Sequence, residues 1–404
     1  MAKYNYDKSS LKGLKVGPFL GEVKLRQQKI AEADATPPKS IFNSNILAKK
    51  LHPDYMELIV KKVVNHGSAK QYVLAPNEKK GTKELAYFRA GQYLSFLFDI
   101  GGNFTCRPYT ICSNPKDAIA KNPTYSILVK GVEGGACSNH ILKNWKPGTE
   151  VIASPPVGHY FYTDLRDAKH VVALAGGSGI TPFYSMAAAI DAGIENFKLT
   201  ILYGSRKADD ILLKDELAAI EKRCAGKVKV VHVLSDEKKK GYENGFITSE
   251  IIKKYAGSGD YSVFVCGPPA MYTFTMKEVN KLKLPLKRIR LEVPGETLDV
   301  KNYPSFKESK KGAKHTLTVH VRHDVKKIEI DEKTTLVRAM ENSGIFVTTD
   351  CRSGKCGFCR SRLIKGDVWM PTDNRRGADD KFGWIHPCCT YVKSDCEIEV
   401  FPSF

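Results

Sequence analysis

Eleven cysteines are spread over 404 residues, and four of them stand where they could act together. Cys351, Cys356 and Cys359 fall in C-x4-C-x2-C spacing, and a fourth thiol follows at Cys388 with Cys389 beside it. This is the spacing by which thiolates hold a [2Fe–2S] cluster. Two irons bridged by two sulfides need four thiolates, and three of them must converge from one loop. The loop must turn tightly and aim amide N–H groups at the sulfurs. Gly354 and Gly357 lack a Cβ and let the backbone come close. Those amides then stabilise the charge added on reduction. A zinc site would pair two C-x2-C knuckles, or one knuckle with histidines. A disulfide framework belongs to secreted chains, and nothing marks this chain as secreted. Spacing alone leaves Cys388 and Cys389 as alternatives for the fourth ligand.

Elements must position that loop. A hairpin over His315–Arg322 and Lys326–Ile330, then a helix over Leu336–Ser343, lead into it. Ahead of them, Pro294–Lys314 is polar and carries Pro, Gly and Lys, which reads as an interdomain linker. Between Tyr55 and Tyr162, short strand-like runs begin at Tyr55, Gln71, Gln92, Tyr125 and Glu150, separated by Gly, Pro and Asn. That spacing predicts an antiparallel barrel. Within it stands Arg107-Pro108-Tyr109-Thr110. A guanidinium pairs with phosphate, an aromatic stacks on a flat ring, and a hydroxyl reaches a ring nitrogen. Gly134-Gly135-Ala136-Cys137-Ser138-Asn139 precedes a short helical run at His140–Asn144. Small residues at a helix start let N–H groups face an anion. Together the two pieces fit a flavin dinucleotide. Taken alone, the second also reads as a helix capped by Ser138 or Asn139.

From Ala168 the period changes. Strands near His170, Leu199, Val228 and Ser262 alternate with helices over Pro182–Ala192, Lys214–Arg223, Ser249–Tyr255 and Ala270–Lys281. This alternation predicts a doubly wound parallel sheet. Gly176-Gly177-Ser178-Gly179-Ile180-Thr181-Pro182 follows the first strand and opens a helix, where such sheets bind ligands. The last strand ends in Cys266-Gly267-Pro268-Pro269, fixing a thiol at the same edge of the sheet.

Composition bounds the rest. The length allows two or three domains. No run of about 18 apolar residues occurs, as a membrane span needs. The opening Met-Ala-Lys-Tyr-Asn-Tyr has no apolar signal core, so the expected compartment is cytoplasmic. The net charge is +19, yet the residues from His315 onward carry only +1 of it. No aromatic-basic groove pattern marks nucleic-acid binding. The cluster loop is itself basic, with Arg352, Lys355, Arg360 and Arg362, which reads either as solvated loop charge or as the docking surface for a redox partner with an acidic face. Residues 1–54 read as an extension with one helical pattern near Val23–Ala33.

Over residues 55–404 the chain resembles the ferredoxin–NADP reductase superfamily with a fused plant-type ferredoxin. The closest likeness is to reductase components of multicomponent oxygenases, including the phenylacetyl-CoA epoxidase reductase type. The pieces that carry it are Arg107–Thr110, Gly134–Ser138, Pro156-Val-Gly-His-Tyr160, Gly176–Pro182, Cys266–Pro269, Glu292 and the cysteines. The resemblance implies an FAD barrel at 55–164, an NAD(P)-binding α/β domain at 165–293 and a β-grasp ferredoxin domain at 315–404. It places Arg107 on phosphate, Tyr109 on the flavin ring and Thr110 near N5. Pro108, Val129 and Lys130, with Gly135, Ala136, Cys137 and Ser138, complete the FAD contacts. Gly176, Gly177, Ser178, Gly179, Thr181, Pro182, Ser205, Arg206, Ser235, Asp236, Cys266, Gly267 and Pro268 would hold the nicotinamide nucleotide. Thr110, Cys266 and Glu292 would be the catalytic group. Cys388 opens a Tyr-x-x-Ser-Asp run like that of plant ferredoxins, which favours it over Cys389. Family members often carry an aromatic two residues after the glutamate; this chain has Pro294.

The implied activity is an NAD(P)H-dependent reductase passing electrons through FAD and the cluster to a partner enzyme. Ser235-Asp236 stands where NADPH users tend to have Ser-Arg, so NADH is favoured over NADPH, with Arg206 and Lys238–Lys240 pulling the other way. Two alternatives are electron entry through the ferredoxin to reduce NAD+, and a non-catalytic electron-transfer subunit of a larger complex.

Overall fold

Residues 17–32, 43–51, 53–224, 226–292, 300, 303, 305–322, 324–371, 379 and 381–401 are described by the structure, a computed structural model. Residues 1–49 form one compact unit and 50–404 another. The first contains α1 (Gly17–Glu32), which begins six residues ahead of its sequence pattern and exposes Val23, Leu25 and Ile30. Helix α2 spans Asn43–Leu51.

The second unit opens with six strands: β1 (Met56–His66), β2 (Ala69–Pro76), β3 (Tyr93–Ile100), β4 (Asn103–Thr110), β5 (Tyr125–Lys130) and β6 (Glu150–Ala153). Their order is β4-β3-β6-β1-β2-β5, and every pairing is antiparallel. An Ile111–Ile127 bridge joins the two ends and closes the barrel. Alternation sends Leu58, Val60, Tyr72, Leu74, Phe96 and Ile127 inward. Helix α3 (Ala136–Asn144) plugs one side through Cys137 and Ile141. Its N-cap is Gly135 without a side-chain bond, so Ser138 and Asn139 lie inside the first turn and neither is the cap.

Six parallel strands follow: β7 (His170–Gly176), β8 (Lys198–Ser205), β9 (Val228–Leu234), β10 (Glu243–Asn244), β11 (Ser262–Cys266) and β12 (Ile289–Leu291). Between them run α4 (Thr181–Asp191), α5 (Lys214–Arg223), α6 (Ser249–Ala256) and α7 (Pro269–Asn280). The order β10-β9-β8-β7-β11-β12 reverses direction between β7 and β11. At such a switch point the loops after the two strands diverge and leave a crevice. Those loops are Gly176–Pro182 and Cys266–Pro269. Both sheet faces are apolar, which is why the strands read as continuous hydrophobic runs.

The last domain holds β13 (Lys314–Val321), β14 (Asp324–Asp331), α8 (Leu336–Asn342), β15 (Ser361–Lys365), β16 (Val368–Trp369), β17 (Trp384–Ile385), β18 (Tyr391–Val392) and β19 (Cys396–Val400). Five strands form a mixed sheet, β14-β13-β19-β15-β17, with β13 and β19 parallel. Helix α8 packs on it through Leu336, Val337 and Met340. The polar stretch 294–314 is described in part. Its Tyr303 and Phe306 rings sit against Trp369 at 5.6 and 5.1 Å, so this end of the linker is bound to the cluster domain rather than free.

Candidate functional site

The cluster loop leaves α8 and returns as β15. Cys359 and Cys388 sulfurs lie 3.3 Å apart. Cys351 and Cys356 form the other pair, joined by the Cys356 amide donating to Cys351 Sγ at 3.4 Å. Two pairs suit two irons. Among the described residues, no three His, Cys, Asp or Glu side chains converge on one ion position. Amides of Ser353 and Gly354 donate to Cys351 Sγ and Cys388 Sγ at 3.4 and 3.2 Å. Gly354 and Gly357 have φ of +77° and +88°, which a Cβ would strain. The Cys351 thiol is pulled down by the Cys356 side chain and by the Ser353 and Cys356 amides. This donor set fits a [2Fe–2S] cluster. The structure places Cys388 in the pair with Cys359, while the Cys389 thiol turns to the His386 carbonyl.

Arg352 corrects a reading of the loop charges. It is 1% exposed, with φ of +53°, and its guanidinium donates to both Glu341 oxygens at 2.7 and 2.9 Å. A residue eleven positions back, on α8, therefore takes this charge out of solvent. Lys355, Arg360 and Arg362 remain exposed.

The barrel supplies β4. Arg107 Nη1 donates to Thr105 Oγ1 and the Cys106 carbonyl and lies 3.9 Å from Glu341. Pro108, Tyr109 and Thr110 pair with Ser95, Leu94 and Tyr93. The Tyr109 hydroxyl is raised by burial, then by the nearby Cys137 thiol, with Arg107 opposing. Tyr109, Arg107 and the start of α3 are thus gathered in one place. Val129 and Lys130 end β5. The uncapped first turn of α3 leaves amides that a phosphate satisfies. A Cβ on Gly135 would stand 3.0 Å from the Val132 carbonyl and 2.7 Å from Ser138 Oγ, so the turn packs closely at this glycine. These residues fit a flavin dinucleotide.

The nicotinamide crevice is built by close backbone packing. A Cβ on Gly179 would sit 2.3 Å from the Cys266 carbonyl, and one on Gly176 would meet Met271 Sδ at 2.5 Å. These glycines bring Gly177, Ser178, Thr181 and Pro182 against Cys266, Gly267 and Pro268. Thr181 Oγ1 donates to Ser178 O at 3.1 Å, and the Tyr203 hydroxyl donates to Gly177 O at 2.9 Å. At the far end Ser235 N bonds Ser205 O, and Ser205 Oγ is buried without a protein partner. Asp236 Oδ2 pairs with Arg206 Nε at 2.8 Å, so the two residues that pull nucleotide choice in opposite directions neutralise each other.

Glu292 stands where the three parts meet. Its amide bonds the Val265 carbonyl and its carbonyl accepts from the Tyr272 hydroxyl at 2.7 Å. Burial raises its carboxyl to about 8, while Lys355 of the cluster loop and Arg290 pull it back and Cys351 adds to the rise. Burial likewise pushes the Cys266 thiol up, with Glu292 contributing. Thr110 reaches this junction through its neighbour Tyr93, whose hydroxyl donates to Asp350 at 3.2 Å. Sequence reasoning gave no role to Tyr93, Asp350 or Tyr272, and named Tyr160 only as part of a motif. Tyr160, buried with an unpartnered hydroxyl beside Cys266 and Glu292, closes the Pro-Val-Gly-His-Tyr run, which could have flagged it. Pro294 lies outside the described residues.

Fold and site together define a flavin- and nicotinamide-dependent iron–sulfur reductase. Family models for an oxidoreductase FAD-binding domain, an oxidoreductase NAD-binding domain and a 2Fe-2S iron-sulfur cluster binding domain match residues 55–162, 173–277 and 319–393. The chain belongs to the ferredoxin–NADP reductase superfamily, with a C-terminal plant-type [2Fe–2S] ferredoxin domain. It is 28% identical to the glycine betaine monooxygenase reductase subunit of Chromohalobacter salexigens, covering 78% of this chain and 88% of that one. It is 30% identical to NADH-cytochrome b5 reductase 1 of Candida glabrata, over 57% of this chain and 79% of that one. Among solved structures, phthalate dioxygenase reductase shares the fold with a TM-score of 0.61 and 21% identity, over 86% of this chain and 98% of that one.

Proposed function

We propose that this chain is the reductase component of a multicomponent redox system, taking electrons from NADH and delivering them singly to a partner enzyme such as an oxygenase. When bound, FAD would supply hydride acceptance and the [2Fe–2S] cluster would supply one-electron carriage; the protein contributes position and electrostatics. In this reading Arg107 and the α3 amides hold the FAD phosphates, Tyr109 covers the ring, and Thr110 bonds near N5. Gly176–Pro182, Cys266 and Glu292 hold the nicotinamide against it. Cys351, Cys356, Cys359 and Cys388 hold the irons. The domains divide as 55–164, 165–293 and 315–404, joined by 294–314 and preceded by an extension over 1–54. Asp236 favours NADH, because it engages the Arg206 guanidinium that a 2′-phosphate would need and can accept from a ribose hydroxyl. The partner docks with an acidic face. The compartment is cytoplasmic; among the described residues no helix is long and apolar enough to cross a membrane.

One observation supports the scheme above the others. The nicotinamide edge at Cys266 and Glu292, the barrel strand end at Tyr93 and Thr110, and the cluster loop at Asp350 and Cys351 meet at a single junction. The test is Cys356→Ser. It should abolish electron delivery to a protein acceptor and leave NADH-driven reduction of a dye that accepts from flavin. Equal loss of dye reduction in a folded, FAD-loaded variant would overturn the sequence of carriers.

A further inference from the structure

The cluster loop has two unlike flanks. At Cys351 it is covered: Asp350 accepts the Tyr93 hydroxyl of the barrel, and the charge of Cys351 reaches Glu292. Between Cys356 and Cys359 it faces solvent. There Phe358 is 52% exposed, although Cys359 beside it is 3% exposed. The loop is held open by structure and not by slackness. Gly357 has a left-handed φ, and the Arg360 amide closes the turn on the Gly357 carbonyl at 3.0 Å. A benzyl group half in water keeps apolar surface that a partner could bury, and here it sits between two thiols assigned to the irons.

The surroundings are ordered and cationic. Arg360 lies 4.3 Å over the Trp384 ring and pairs with Asp379 at 2.7 Å, which fixes a guanidinium that is still partly exposed. Arg362 stands opposite Trp384 across β15 and β17 and opposite Glu399 across β15 and β19. Lys355 and Lys381 add positive charge. Among the described residues two carboxylates, Asp379 paired with Arg360 and Glu399 opposite Arg362, reduce this charge, and Lys355 and Lys381 leave the rim cationic. An aromatic centre inside a charged rim is the anatomy of an interaction hot spot.

We propose that Phe358 is the anchor of the electron exit port: its ring enters an apolar recess on an acidic redox protein, whose carboxylates meet Arg360 and Arg362. The inference rests on the reading that electrons leave from the cluster. One electron passes from the reduced cluster to the acceptor; no bond, proton or leaving group moves.

The test uses the full chain loaded with FAD and cluster, with ferric cytochrome b5 as an acidic acceptor and cytochrome c as a cationic one. Binding to cytochrome b5 is measured by calorimetry, and haem reduction is taken as the part lost in Cys356→Ser. Phe358→Ala should weaken binding and slow haem reduction by about tenfold or more. Phe358→Leu should restore most of both. NADH-driven dye reduction and the cluster's EPR signal should not change. Added salt should weaken binding of cytochrome b5. Wild-type binding by Phe358→Ala with the cluster intact, or a preference for cytochrome c, would overturn the port. A wild-type cluster that NADH cannot reduce would instead overturn the electron path on which the port depends.

Discussion

The nicotinamide domain and the cluster domain both rest on the flavin barrel, and they rest on it differently. The first seam is layered and dry. Tyr160 packs on Phe183 and Phe264 at 6.1 and 5.4 Å. Ser185 Oγ donates to the Ser113 carbonyl at 2.8 Å and Asn114 Nδ2 to the Ala188 carbonyl at 3.1 Å. Arg290, 8% exposed, donates across the seam to the His159 carbonyl and is held at 2.8 Å by fully buried Asp167 of its own domain. The second seam is thinner: Tyr93 on Asp350, Arg352 on the Cys106 carbonyl at 3.5 Å, Arg107 near Glu341, and Phe104 against Phe346 at 6.4 Å. The chemistry accounts for the contrast. Hydride transfer needs reacting atoms in near contact and alignment. An electron crosses a short gap without bond alignment, so the second seam has only to keep its partners near each other.

The comparison breaks most readily at Asp167. Asp167→Ala leaves Arg290 buried and unpaired, which should cost roughly 3–5 kcal/mol in denaturant unfolding. NADH-driven flavin reduction, followed by stopped flow, should fall by more than tenfold. A loss below about 1 kcal/mol would mean that the dry seam does not depend on this pair.

Next comes Glu292, where the seams join. Its carboxyl is raised to about 8, so the folded chain keeps a proton that the unfolded chain releases above its ordinary range near 4.5. Its contribution to stability is fully present below pH 4.5 and is lost as pH rises through 8. Against Glu292→Gln, thermal unfolding of the wild type should weaken by roughly 4–5 kcal/mol across that window. A constant difference between the two would show that the carboxyl is solvated.

The smallest effect belongs to the thin seam. Tyr93→Phe removes one hydrogen bond, worth about 1 kcal/mol. It should slow flavin-to-cluster transfer a few-fold while NADH reduces the flavin at the wild-type rate. Equal slowing of both steps would erase the distinction between the seams.

How much of this was legible beforehand depended on the range of the forces involved. The helix at Lys214–Arg223 matches its sequence pattern end to end, because amphipathic periodicity is local. The parallel strands announced themselves as apolar runs. The cysteine spacing was readable because metal geometry constrains neighbours within one loop. Arg352 was counted among the loop charges that face solvent or a partner, since its own partner Glu341 sits on a helix whose orientation only the tertiary fold sets. The alternative of a side-chain cap at Ser138 or Asn139 on α3 could be set aside only from the backbone, whose cap is Gly135. Tyr93 and Asp350 are 257 positions apart, and nothing in either neighbourhood hints at the other.

The unequal flanks of the cluster loop carry a kinetic consequence. A carrier filled from one side and emptied from another need not release its supplier before meeting its customer. Turnover can then run through an assembled trio of nucleotide, reductase and acceptor, with no swivelling of the ferredoxin domain between visits. In steady state, double-reciprocal plots against the two substrates should intersect instead of running parallel.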